Sequence, residues 1–96
     1  TTLEMLGYIN IDTAFIGVSG CSLDTGFTCG AEGDMLVKRK VIERARKSVL
    51  MCDEDKLKTI MSYTFAQMQD VDCIVSDKPL PEEYLRAAED AGVILL

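Results

Sequence analysis

The chain has 96 residues, a formal net charge of −6 and no histidine, with 48% hydrophobic and 27% charged residues. That length holds one modest domain or part of a larger one, and the composition is that of a globular chain rather than a disordered one. The acidic balance, with no basic cluster interleaved with aromatics, makes this stretch a poor nucleic-acid surface by itself.

No apolar run approaches membrane-spanning length, and the sequence reads as carrying no secretory signal. The first residue is Thr1 rather than methionine, so the chain is expected to be a piece of something longer. Cys21, Cys29, Cys52 and Cys73 show no metal-ligand spacing, and the lack of histidine removes a Cys/His zinc site or a Cys-His nucleophile. Cys52 and Cys73 fall within apolar strand patterns and read as small buried hydrophobes, whereas Cys21 and Cys29 lie in a polar stretch that allows exposure. A disulfide framework is not expected, which places the protein in a reducing cytoplasm. No cofactor is called for.

Taken in order, residues 14–18 form a short apolar strand that follows Asp12 and is bounded by Gly17 and Gly20. Residues 21–33 are polar and long for a mere connection. Residues 34–47 read as a helix, with Val37, Val41 and Ala45 as an i, i+4 stripe and Ile42 beside it. Residues 48–52 and 71–76 are buried-type strands. Pro81 opens a last helix with Glu82 and Glu83 in its first turn, Gly92 stops it, and residues 93–96 make the final strand. Met51, Met61, Phe65 and Met68 read as packing residues.

Helices between short apolar strands imply parallel βαβ units with right-handed crossovers. The expected class is α/β, a mostly parallel sheet with helices on both faces. Four strands and two helices cover two faces poorly, so either an upstream half is missing or the piece associates with another copy.

Five segments then occur in register: Asp12-Thr-Ala-Phe-Ile-Gly-Val-Ser-Gly20, Asp24-Thr-Gly-Phe-Thr28, Asp34-Met-Leu-Val-Lys38-Arg, Leu50-Met-Cys-Asp53-Glu-Asp-Lys56 and Asp70-Val-Asp-Cys-Ile-Val-Ser-Asp77. Together they resemble the C-terminal effector-sensing domain of DeoR-type transcriptional repressors, which is related to ribose-5-phosphate isomerase. The resemblance runs from Ile9 to Leu96, and it implies that residues 1–96 are the C-terminal part of a sugar-phosphate-sensing domain. It implies a phosphorylated sugar or related intermediate as ligand, DNA as a partner only through an N-terminal helix-turn-helix outside these residues, no membrane partner, and a homo-oligomer.

By that resemblance Lys56 matches the lysine that contacts the phosphorylated effector, with Asp53 beside it; spacing alone reads the same residues as a solvated charged turn after a strand. Asp12 matches a residue facing the sugar hydroxyls, against the plainer reading of a strand-start cap or turn residue. Asp34 stands where the family usually carries glutamate, and its plainer role is an i, i+4 surface ion pair with Lys38. Gly17 and Gly20 supply close backbone approach and turning, and Thr28 a hydroxyl at the end of the polar stretch.

Two other classes compete with this reading. A receiver domain would place its phosphoacceptor in residues 71–77, but only one strand follows Asp77. A sugar-phosphate isomerase fragment is the alternative to a sensor; no lysine lies between Asp12 and Lys38, which favours binding without catalysis.

Overall fold

The computed structural model describes residues 2–96. A short helix α1 (Thr2–Leu6) leads to β1 (Ile11–Gly17), then β2 (Gly20–Ser22), β3 (Gly26–Cys29), α2 (Glu32–Arg44), β4 (Ala45–Met51), β5 (Tyr63–Ala66), β6 (Cys73–Val75), α3 (Glu82–Ala91) and β7 (Ile94–Leu95). Single 3-10 turns occupy Glu54–Lys56 and Met68–Asp70. Four strands form a parallel sheet in the order β1-β4-β6-β7. The expected α/β class with a parallel sheet is what is found.

α2 is the crossover from β1 to β4, and α3 the crossover from β6 to β7. A crossover of helical length is what parallel neighbours require. Arg44 ties the end of α2 to the start of β1, donating from Nε to the Ile9 carbonyl at 3.1 Å and from Nη2 to Asn10 Oδ1 at 2.9 Å. Ser48 and Asp72 then clamp β4 to the approach of β6. The Ser48 N–H donates to Asp72 Oδ2 at 2.7 Å, and the Asp72 N–H donates to the Ser48 carbonyl at 3.0 Å.

The helix expected over residues 34–47 ends at Arg44, and the strand after it starts at Ala45 rather than Ser48. Pairing with β1 is the reason: Ala45 lies opposite Ile11 and Lys47 opposite Thr13, so the sheet takes three residues that local propensity leaves to the helix. The last helix behaves as expected. Pro81 caps it, Gly92 adopts φ 75° and closes it, and the Val93 N–H reaches the Ala88 carbonyl at 2.8 Å.

Residues 21–33 are not an open connection. Gly20–Ser22 and Gly26–Cys29 form an antiparallel hairpin, and β5 adds to it as the third strand of a second sheet. Gly26, at φ 84°, makes the turn possible, and the Thr25 N–H is held by Ser22 Oγ at 3.0 Å. Cys21 and Cys29, which the polar context left free to be exposed, are buried, and all four cysteines are free thiols inside the protein.

Ala14, Ile16, Leu50 and Ile74 share one face of the parallel sheet and join Phe27, Phe65, Tyr84 and Ala88 in one core. Both long helices and the second sheet therefore lie over that same face. Helix cover on both faces is not met among the described residues, because successive rightward crossovers, β1 to β4 and β6 to β7, deliver their helices to one side. The other face carries Phe15, Met51, Val75 and Ile94 exposed. Leu50 is fully enclosed in an interior strand, so Leu50→Ala is expected to cost about 2–5 kcal/mol in chemical denaturation.

Candidate functional site

Parallel strands place their carboxyl ends on one edge, where backbone and side chains can meet a ligand. Here that edge holds Gly17 from β1 and, two residues beyond its register partner Met51, Asp53 after β4. Lys38 rises to it from α2. Its Nζ donates to the Gly17 carbonyl at 2.8 Å, lies 3.4 Å from Asp34 Oδ2, and sits 5.0 Å above the centre of the Phe65 ring. The ammonium is thus engaged on three sides and its side chain is only 18% exposed. The i, i+4 pair expected of Asp34 and Lys38 is present, and it fastens the start of α2 to the end of β1.

After β4 the chain makes the turn Glu54–Lys56. Asp77, just beyond β6, accepts the first N–H of that turn, Glu54 N to Asp77 Oδ1 at 2.9 Å, and the Lys56 N–H donates to the Asp53 carbonyl at 3.0 Å. The turn is therefore fixed from the neighbouring strand. Lys56 is half-buried and its ammonium makes no hydrogen bond or ion pair among the described residues. Lys78 is paired with Glu54 at 3.7 Å. Lys58 follows with φ 67°, a left-handed conformation uncommon for a side chain of this kind, and its N–H donates to the Cys21 carbonyl at 2.7 Å.

Asp53, Glu54 and Asp55 precede Lys56 along the turn and Asp77 braces it, so carboxylates outnumber the ammonium groups of Lys56, Lys58 and Lys78 there. An anion held there needs donors in addition to Lys56. Beneath the turn, the Cys52 thiol donates to the Asp53 carbonyl at 3.8 Å. The interaction of Cys21 with Cys52, together with burial, pushes the Cys21 thiol far up, and the same interaction holds Cys52 below the ordinary thiol value against burial and Asp53, Asp55 and Asp77. Both cysteines are buried, so the pair belongs to the packing below the edge.

The other three candidates are placed differently. Asp12 is at the amino end of β1, beside a cleft of about 420 Å³ lined by Thr13, Arg46 and Lys47. It pairs at 4.0 Å with Arg46, and both side chains are almost fully exposed. Since β4 runs from Arg46 beside Asp12 to Met51 before the Lys56 turn, about 16 Å of strand separates the two ends. Asp12 and Lys56 thus stand at opposite ends of the parallel sheet. Gly20 and Thr28 are enclosed. The Thr28 hydroxyl accepts the Met61 N–H at 3.0 Å, and a Cβ on Gly20 would collide with the Thr59 carbonyl oxygen.

The structure therefore brings Gly17, Asp34, Lys38, Asp53 and Lys56 to one edge, encloses Gly20 and Thr28 beside the segment that follows Lys56, and leaves Asp12 at the other end of β1. Sequence reasoning missed Phe65 under Lys38, for which periodicity gave only packing. It also set Asp77 aside, although an aspartate directly after a short apolar strand was a usable signal for an anchoring role.

The profile of the DeoR C terminal sensor domain matches residues 1–78. The chain is 32% identical over 90 residues to a putative sgc region transcriptional regulator of Escherichia coli (strain K12), covering 94% of this chain and 35% of that protein. It is 31% identical over 96 residues to the HTH-type transcriptional repressor GlcR of Bacillus subtilis (strain 168), covering 100% of this chain and 37% of that protein. It is 34% identical over 92 residues to the uncharacterized HTH-type transcriptional regulator YgbI of Escherichia coli (strain K12), covering 96% of this chain and 36% of that protein.

The class is that of a sensor domain rather than an enzyme, which sets aside the isomerase alternative. The chain belongs to the DeoR C-terminal sensor family, and it spans a little over a third of the length of these relatives. No helix among the described residues is long and apolar enough to cross a membrane.

The enclosure of Gly20 gives a direct test. Gly20→Ala is expected to destabilise by about 1–3 kcal/mol in urea titration, because its Cβ meets backbone rather than a movable side chain.

Proposed function

We propose that this chain is part of the ligand-sensing region of a cytoplasmic transcription regulator. In this reading a phosphorylated sugar, or a related phosphorylated intermediate, is held at the carboxyl ends of β1 and β4. The observation that carries the reading is the contrast between two lysines. Lys38 is engaged by the Gly17 carbonyl, Asp34 and Phe65, while Lys56 sits half-buried on a braced turn with its ammonium unpaired among the described residues.

A compact cation held in that way suits a phosphate as a point-charge partner. Asp53 and the exposed Asp34 are placed to accept from sugar hydroxyls, and Gly17 presents backbone without a side chain. The excess of carboxylates at this edge means that further phosphate donors come from residues outside the 96. Lys38 has a positioning role, keeping α2 against the end of β1.

DNA is contacted by a helix-turn-helix elsewhere in the polypeptide, and the regulator acts as a homo-oligomer, as operators of two-fold symmetry require. Effector binding alters DNA affinity only through unequal affinity for the DNA-competent and released states.

Thermal shift of the full-length polypeptide against a panel of sugar phosphates tests this. A true effector at 100 times its Kd adds about 2.7 kcal/mol of stability. Lys56→Ala is expected to abolish the rise in Tm. Lys38→Met is expected to lower the Tm of the free protein, with a cost of about 1–3 kcal/mol, and to leave the effector-induced rise in place. A full rise in Lys56→Ala overturns the assignment.

A further inference from the structure

Among the described residues, Lys58 is the one residue other than glycine with a positive φ, at 67°. It stands at the second corner of a tight turn. Leu57 has φ −67° and ψ 138°, and the Thr59 N–H closes the turn on the Lys56 carbonyl at 3.3 Å. These are the marks of a type II turn, whose second corner calls for glycine because a Cβ there is strained. The backbone itself has no need of a lysine. The Cys21 carbonyl accepts the Lys58 N–H at 2.7 Å and Cys21 bridges Thr59, and any residue with an N–H makes the same bonds. Strain of this kind is held at ligand clamps, so the lysine side chain is the feature to explain.

The charge at this edge supplies a reason. Lys78 is taken up by Glu54 at 3.7 Å, which leaves Asp53, Asp55 and Asp77 set against Lys56. Lys58 is exposed, and its ammonium makes no hydrogen bond or ion pair among the described residues. A dianionic phosphate brought to Lys56 alone meets more like charge than opposite charge. A second ammonium on the same turn shifts that balance. The ends of such a turn lie less than about 7 Å apart, so two flexible four-carbon stems rooted in it reach a common anion. We propose that Lys58 is a second contact to the phosphate, so that Lys56 and Lys58 close on a phosphate monoester from one turn. The proposal rests on the effector reading given above, and donors outside the 96 residues complete the shell.

The test is isothermal titration of the full-length polypeptide with the sugar phosphate that gives the wild type its largest thermal shift, comparing Lys58→Gly, Lys58→Arg and Lys56→Ala. Glycine relieves the strained corner, so the Tm of free Lys58→Gly is expected not to fall. Its Kd for the sugar phosphate is expected to weaken about five- to tenfold and to become less sensitive to salt. Lys58→Arg keeps the charge and is expected to bind within about threefold of the wild type. A wild-type Kd in Lys58→Gly overturns the proposal. Weakening that comes with a lowered Tm, or that Lys58→Arg shares in full, also overturns it, because the change then lies in the scaffold. Binding lost in Lys56→Ala and intact in Lys58→Gly removes Lys58 alone and leaves the effector reading standing. A wild type that binds no sugar phosphate removes both.

Discussion

The parallel pairing of β1 with β4 is the constraint on which the rest depends. Six residue pairs hold it, from Ile11 with Ala45 to Gly17 with Met51. Parallel neighbours cannot be joined by a tight turn, so this pairing makes α2 a necessary crossover and decides where it begins and ends. It also brings the exits of two strands to one edge and sends their starts to the other. Which charged residues can cooperate is therefore a matter of strand direction before it is a matter of side-chain chemistry.

That constraint sorts the charges into two groups. At the starting edge Asp12 and Arg46 meet in solvent, where an exposed pair contributes little. At the exit edge Asp34 and Lys38 are used to fasten helix to strand, and Asp77 fastens the turn after β4 to the end of β6. Lys56 rides on that braced turn. A cation on a fixed backbone loses less freedom on meeting an anion than one on a loose loop, which is the physical basis for preferring Lys56 to Lys38 as the anion contact. The local carboxylates oppose it, so the edge is selective for an anion only when other donors complete the shell.

Much of the parallel sheet was legible because its strands are continuous apolar runs and its last helix carries both boundary signals, Pro81 and Gly92. The end of α2 was not, because Ala45, Arg46 and Lys47 suit a helix locally and are drawn into β4 only by pairing with Ile11–Gly17. The second sheet was hidden for a related reason. Residues 21–33 look polar in sequence, yet Cys21, Phe27, Thr28 and Cys29 are all buried, with the Thr28 hydroxyl satisfied by the Met61 N–H from a distant segment. The Asp-Thr-Gly before Phe27 was the one local sign of a hairpin. Of the site, five of eight candidate residues share an edge. Motif order did not say which end of a strand Asp12 occupies, and it did not say that Gly20 and Thr28 are enclosed beside the segment after Lys56, because enclosure is a property of the fold.

The exit-edge account is tested most directly by mapping a bound sugar phosphate on isotope-labelled full-length protein through amide chemical shifts. The account requires the largest changes at Gly17 and in the turn Glu54–Lys56, with Asp12 and Arg46 unmoved. Large changes confined to Asp12, Thr13, Arg46 and Lys47, with Lys56 silent, would place the ligand at the starting edge and contradict it.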